Sequence, residues 1–159
     1  MEIVDSHDRP LLCMPPEEAL RQGLSVRMVA VALFSRQGRL IVHKRPDDPG
    51  FTGRWDIEAG FVLAGEARED AALRLIASCM NLHGLSVTPL SGGDGYGRLS
   101  PLFSLFIVRL PSGLYPKYAA QDMMMVDADE LTGLIRDVPE LLSPELLKAA
   151  TVPGLFYAR

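Results

Sequence analysis

The stretch Leu102–Leu110 (LFSLFIVRL) is apolar on both faces of an extended chain, and it limits the fold more than any other segment. A strand with one polar face can meet water, whereas a strand apolar on both faces belongs inside a sheet that is covered above and below. The remaining sequence must supply that cover. Met28–Phe34 (MVAVALF) is a second apolar, β-rich run; Ser35–Gly38 (SRQG) has turn chemistry; and Arg39–His43 (RLIVH) completes a predicted hairpin. Pro46–Gly53 holds two prolines and two glycines and reads as a loop, after which Trp55–Leu63 returns to strand-like residues. From Glu66 to Leu82 there is no Gly or Pro, and Ala72, Leu75, Ile76, Cys79 and Leu82 recur at steps of three and four, which predicts a helix. Two strand-like stretches follow between Leu85 and Leu110, on either side of the glycine-rich segment 92–97. Asp122–Val126 reads as a short strand. Asp127 suits the cap of a helix over Ala128–Arg136, and Ser143-Pro144 opens a last helix to Ala150.

Strands, helix, strands, helices in that order predict a mixed sheet covered by helices, an α/β (α+β) arrangement in one domain over 1–159. Of the 159 residues 48% are hydrophobic and 23% charged, which supplies enough apolar surface to offset the entropy of ordering the chain. A net charge of −4 argues against binding nucleic acid through bulk positive charge. Cys13 and Cys79 form no C-x-x-C pair and read as free thiols. The opening MEIVDSHDRP lacks the pattern of a secretory signal, and no apolar run is long enough to span a bilayer. A cytoplasmic protein is expected.

Gly60, then Glu66 after five residues, then Arg74 after seven more, lie in a predicted strand, loop and helix. This spacing resembles the Nudix family, whose box is G-x5-E-x7-R-E-U-x-E-E-x-G-U, with U a bulky aliphatic. The opening VDSHDRPLLCMPPEEALRQGL, the hairpin ending in Lys44-Arg45, the approach Gly53-Arg54-Trp55-Asp56 and the closing DADELTGLIRDVPELLSPELLKAA are similar to the branch related to isopentenyl-diphosphate isomerase. The resemblance implies a Nudix-like α/β/α sandwich. It has an N-terminal extension (1–24), a box loop and helix (60–82) and C-terminal helices (127–151). It further implies that Gly60, Glu66 and Arg74 form the box scaffold, with Arg74 holding Glu66.

The same resemblance identifies what the chain lacks. The family's helix carries glutamates directly after the Arg and three and four residues beyond that; these bind Mg²⁺ and help generate the attacking hydroxide. Here those positions are Leu75, Ser78 and Cys79, and the final box Gly is Asn81. An aliphatic, a neutral hydroxyl and a soft thiol do not replace three carboxylates for a hard cation. The usual metal site is expected to be absent, and Mg²⁺ or Mn²⁺ would need a displaced site built from Glu58, Glu66, Glu69 and Asp70. In the isomerase the box Gly is flanked by a catalytic Cys and a metal-binding His; here the neighbours are Ala59 and Phe61, and Val26 stands where a further His is expected.

Two functions remain open from the sequence. One is a hydrolase of nucleoside diphosphates linked to another group, with weakened catalysis and Glu66 as its only catalytic candidate. The other is a non-catalytic relative that binds a phosphorylated metabolite or a protein. Arg36, Arg39, Lys44, Arg45 and Arg54 are set against Asp47 and Asp48 in sequence. They read either as a solvated face or as an anion site, for which Lys44, Arg45 and Arg54 are the candidates. Cys79 suits neutral packing, and His43 and His83 stand without a partner at ligand spacing. Met123, Met124 and Met125 read as core or as the surface of a homodimer.

Overall fold

The computed structural model describes residues 1–44, 53–90, 98–100, 102–114, 116 and 122–157, with residues 79, 80 and 98–100 described by backbone alone. Arg45 and the glycine-rich segment 92–97 lie outside the described residues. The chain runs β1 (Glu2–Val4), β2 (Pro10–Cys13), α1 (Pro16–Arg21), β3 (Met28–Phe34), β4 (Leu40–Lys44), β5 (Trp55–Asp56), β6 (Glu58–Phe61) and α2 (Arg68–Met80). It continues through β7 (Thr88–Pro89), β8 (Arg98–Ser100), β9 (Phe103–Arg109), β10 (Met123–Val126), α3 (Ala128–Asp137) and α4 (Pro144–Ala150).

The main sheet has the order β10-β4-β3-β9-β7, with β5 paired to β4, β6 to β3 and β8 to β9. Strands β3 and β9 run parallel over their full length, from Met28 opposite Phe103 to Phe34 opposite Arg109, while the other pairings are antiparallel. The sheet is therefore mixed. Both central strands are buried almost throughout, as their two-sided apolar character requires. Alternate residues of β3 divide the core: Ala30, Ala32 and Phe34 pack toward α3 and α4 with Leu131, Leu146 and Ala149. Val29, Val31 and Leu33 pack toward α2 with Ala71, Ala72, Leu75 and Ile76. The result is an α/β/α sandwich.

The single strand expected over Trp55–Leu63 is two strands, broken at Ile57. The cause is a divergence of β3 from β4, which pair only at Leu33–Ile41 and Phe34–Leu40. Each diverging strand needs a new partner for its backbone groups. β5 provides one to β4 at His43 and Lys44, and β6 provides the other to β3 from Val31 back to Met28. The box helix starts at Arg68, two residues later than the sequence pattern suggests. Glu66 is held in a turn, where its backbone N–H donates to the Leu63 carbonyl at 3.1 Å.

The N-terminal segment, expected only as an extension, has elements of its own. It forms the β1–β2 hairpin and α1, the latter opened by Pro16 with Glu17 and Glu18 in its first turn. Met1, Ile3 and Ala19 pack against Val26 and Phe61. Asp8 reinforces this docking, accepting from Arg27 Nε at 2.6 Å and Arg68 Nη2 at 2.7 Å. No helix among the described residues is long and apolar enough to cross a membrane.

At the other end, the buried Ser143 Oγ accepts from the Leu146 N–H at 3.0 Å and donates to Asp56 Oδ1, joining the α4 cap to β5. Ser143→Ala removes a cap and takes a donor from a buried carboxyl group. It should lower stability by about 2 kcal/mol in urea unfolding, with no change in the slope of the transition.

Candidate functional site

The loop between β6 and α2 is organised by one ion pair. Arg74 Nε donates to Glu66 Oε1 at 2.7 Å, and Arg74 Nη2 donates to Glu66 Oε2 at 2.9 Å and to the Phe61 carbonyl at 2.9 Å. The Leu63 N–H donates to the second Glu66 oxygen at 2.8 Å. One guanidinium therefore fastens the helix to the end of β6 and to the loop together, in the fork geometry that suits Arg. The Arg74 hydrogen bond is the main reason the Glu66 carboxyl lies below its ordinary range; desolvation opposes it, and the Leu63 N–H adds to the lowering. Both carboxylate oxygens are thus engaged in holding the loop.

On the inner face of α2, Leu75 is only 7% exposed and belongs to the core under the helix. A Cβ built on Gly60 would lie 2.6 Å from Leu75 Cδ2, so the helix sits against bare backbone at that point of β6. A larger residue at position 60 would need the end of the Leu75 side chain to move aside. Ser78, one turn on, is exposed, and its Oγ donates to the Leu75 carbonyl at 3.3 Å. The side chain of Cys79 lies outside the described residues. The helix ends at Asn81, whose φ of 53° is left-handed, a conformation asparagine tolerates better than most residues with a side chain.

The acids considered for a displaced metal site do not converge. Glu58 is buried on β6, Glu66 is held by Arg74, and Glu69 and Asp70 are exposed in the first turn of α2, where they favour the helix dipole. Among the described residues no three His, Cys, Asp or Glu side chains are grouped to hold a metal ion.

His43 does have a partner, contrary to the expectation of a solitary side chain. Its Nε2 lies 3.0 Å from Glu58 Oε1, and both side chains are 6% exposed. The pair forms because β6 inserts beside β3 where β4 diverges, bringing residues 43 and 58 side by side. No local spacing in the sequence carries that information.

Lys44, next along β4, points to the opposite face, following the strand's period of two. Its Nζ lies 4.9 Å from the centroid of the Trp55 ring, which packs against the core beneath α3 and α4. Arg54 is half-buried immediately before Trp55. Of the anion-site candidates Lys44 lies over the Trp55 ring and Arg54 precedes Trp55 in the chain, while Gly60 and Leu75 occupy the sheet face beneath α2. A cation beside an aromatic face can receive a phosphate and the edge of an attached ring.

No protein-family model matches the chain. It is 40% identical over 73 residues to an uncharacterised Nudix hydrolase of Pseudomonas aeruginosa, a match covering 45% of this chain and 43% of that protein, less than half its length. A crystal structure from Deinococcus radiodurans has a TM-score of 0.64 at 22% identity, covering 86% of this chain and 88% of the other. The Nudix domain of NrtR from Shewanella oneidensis, solved with ADP ribose, has a TM-score of 0.52 at 16% identity, covering 86% and 95% of the two chains. The chain thus shares the fold of these solved structures, and over 73 residues its sequence is similar to that of a Nudix hydrolase.

Proposed function

We propose that this chain is a Nudix protein that binds a phosphorylated metabolite without hydrolysing it by the metal-dependent route of the box helix. The observation that carries this reading is the burial of Leu75 against Gly60, at the position where the resemblance calls for a carboxylate ligand. An isobutyl group there offers no donor atom, and the neighbouring hydroxyl and thiol positions do not restore the missing charge. Without that charge, the electrostatic stabilisation that contributes most at such centres is lost. The residues present do not fit Mg²⁺, and no step is assigned to it. A diphosphate-bearing ligand instead suits the cations beside Trp55, with Lys44 and Arg54 meeting the phosphates. ADP ribose, the ligand in the Shewanella domain, is an apt first probe.

Trp55 is the only tryptophan in the chain, so its fluorescence reports directly on that position. Titration with ADP ribose should change the emission saturably, and Lys44→Ala or Arg54→Ala should weaken binding by about tenfold. Incubation with nucleoside diphosphate sugars and either Mg²⁺ or Mn²⁺ should give no turnover above background. Product formation abolished by Glu66→Gln in a folded protein would overturn the proposal.

Leu75→Glu restores the family residue but puts a carboxyl group into the core beneath α2. It should cost about 3 kcal/mol in chemical unfolding, and millimolar Mg²⁺ should not recover that loss.

In this reading Glu66 serves the loop. Glu66→Gln should cost about 1–2 kcal/mol at pH 7 through weakened bonds to Arg74. Because the folded carboxyl titrates below its ordinary 4.5, its contribution is present above that value and disappears as pH falls through the depressed one. Wild type and variant should therefore converge in stability in acid, as followed by unfolding across a pH series.

A further inference from the structure

The β1–β2 hairpin forms a two-stranded sheet of its own, separate from the main sheet. Among the described residues, the backbone-to-backbone hydrogen bonds of the hairpin and α1 stay within residues 1–24 or reach only Ser25 and Val26, in the connection to β3. The apolar cluster of this segment is small. Met1, Ile3 and Ala19 are buried in it, and Phe61 is the only hydrophobic residue beyond Val26 that packs on them among those described. β2 is exposed at all four positions. A segment held by little apolar burial and by no shared ladder is of the kind that opens before the rest of a domain.

Charge supplies the remaining hold. Among the described residues three ion pairs cross from the segment to the sandwich, each with its acid on the segment: Glu2 to Arg27, Asp8 to Arg27 at 2.6 Å, and Asp8 to Arg68 at 2.7 Å. Arg27 Nη2 also donates to the Asp8 carbonyl at 2.9 Å. The side chains of Asp8, Arg27 and Arg68 are only 12%, 18% and 15% exposed, so loss of the one carboxylate would leave two guanidiniums poorly solvated. Both bases are fixed in the sandwich. The Arg27 carbonyl accepts from the Val62 N–H at 3.0 Å, and Arg68 Nη1 donates to Ser104 Oγ on β9 at 2.7 Å.

The points of attachment bracket the box loop. Phe61 ends β6 and Arg68 begins α2, with residues 62–67 between them. The Phe61 carbonyl in turn receives Arg74, which holds Glu66. We propose that residues 1–24 form a strap that opens as a unit while the sandwich stays folded, with Asp8 as its latch, and that the closed strap steadies the box loop from both ends. Opening withdraws both acids from Arg27 and takes the cover from Phe61.

Amide hydrogen exchange of the full chain, read residue by residue by NMR, tests this. In the wild type the hydrogen-bonded amides of Val4, Met14 and Leu24 should exchange together, at least about tenfold faster than those of β3 and β9, and faster still in about 1 M sodium chloride. Asp8→Asn changes the charge and spares the backbone, because Asp8 has φ 66° and asparagine also accepts that left-handed conformation. The variant should speed the three strap amides by about tenfold or more, speed Leu63 and Glu66 in the box loop, and leave β3 and β9 unchanged. The proposal is overturned if the wild-type strap exchanges only together with β3 and β9, if Asp8→Asn leaves the strap rates unchanged, or if that variant strips β3 and β9 of protection as well. Unchanged Leu63 and Glu66 amides beside a faster strap would overturn its hold on the box loop.

Discussion

The two edges of β3 set the arrangement of everything around them. One edge is filled along its whole length by β9, which fixes the parallel centre of the sheet and buries both strands. The other is shared, with β4 at its end and β6 at its beginning. Backbone groups in such a location cannot be left unpaired, so the divergence of β4 obliges the chain to return as β5 and β6. That return lays Gly60 beneath α2, sets Glu58 beside His43 and places Trp55 under Lys44.

On this frame the Arg74–Glu66 pair works as a fastener. It is partly buried and bidentate, and it is supported by a backbone N–H and a backbone carbonyl, so its worth exceeds that of an exposed ion pair of equal length. A carboxylate so engaged is poorly placed to accept a proton or a cation as well. The packing of Leu75 beside it is of a different kind, an aliphatic side chain set into the core at a position where the family carries charge. The loop geometry rests on the Glu66–Arg74 pair, while Leu75 belongs to the packing under the helix.

Much of the fold is legible in the sequence because periodicity and punctuation agree. The glycine-free run before Leu82, the Asp127 capping box and the Ser143-Pro144 start each have a local physical cause, and α2, α3 and α4 form where those signals lie. The two-sided apolar run at 102–110 likewise forms the buried β9. The break at Ile57 is not legible, since it depends on where β4 leaves β3, a property of the sheet. The His43–Glu58 contact is hidden for the same reason. Nor does spacing reveal that Lys44 faces away from Gly60: adjacent residues in a strand point to opposite sides, so nearness in the chain to His43 says little about which layer receives the ammonium group. The hairpin and α1 lack a strong periodic signal, and their docking relies on Asp8 reaching Arg27 and Arg68 across the fold.

Asn81 ends the box helix at a left-handed corner. The family uses glycine at this corner, and the chain still makes the corner, with the side-chain-bearing residue best suited to turning left-handed. The corner keeps its left-handed bend with a residue that carries a side chain, so the shape of this turn does not require glycine. The bend therefore depends on the backbone that a residue at this corner can adopt, and it fixes how the end of α2 hands the chain on to Leu82 in the core.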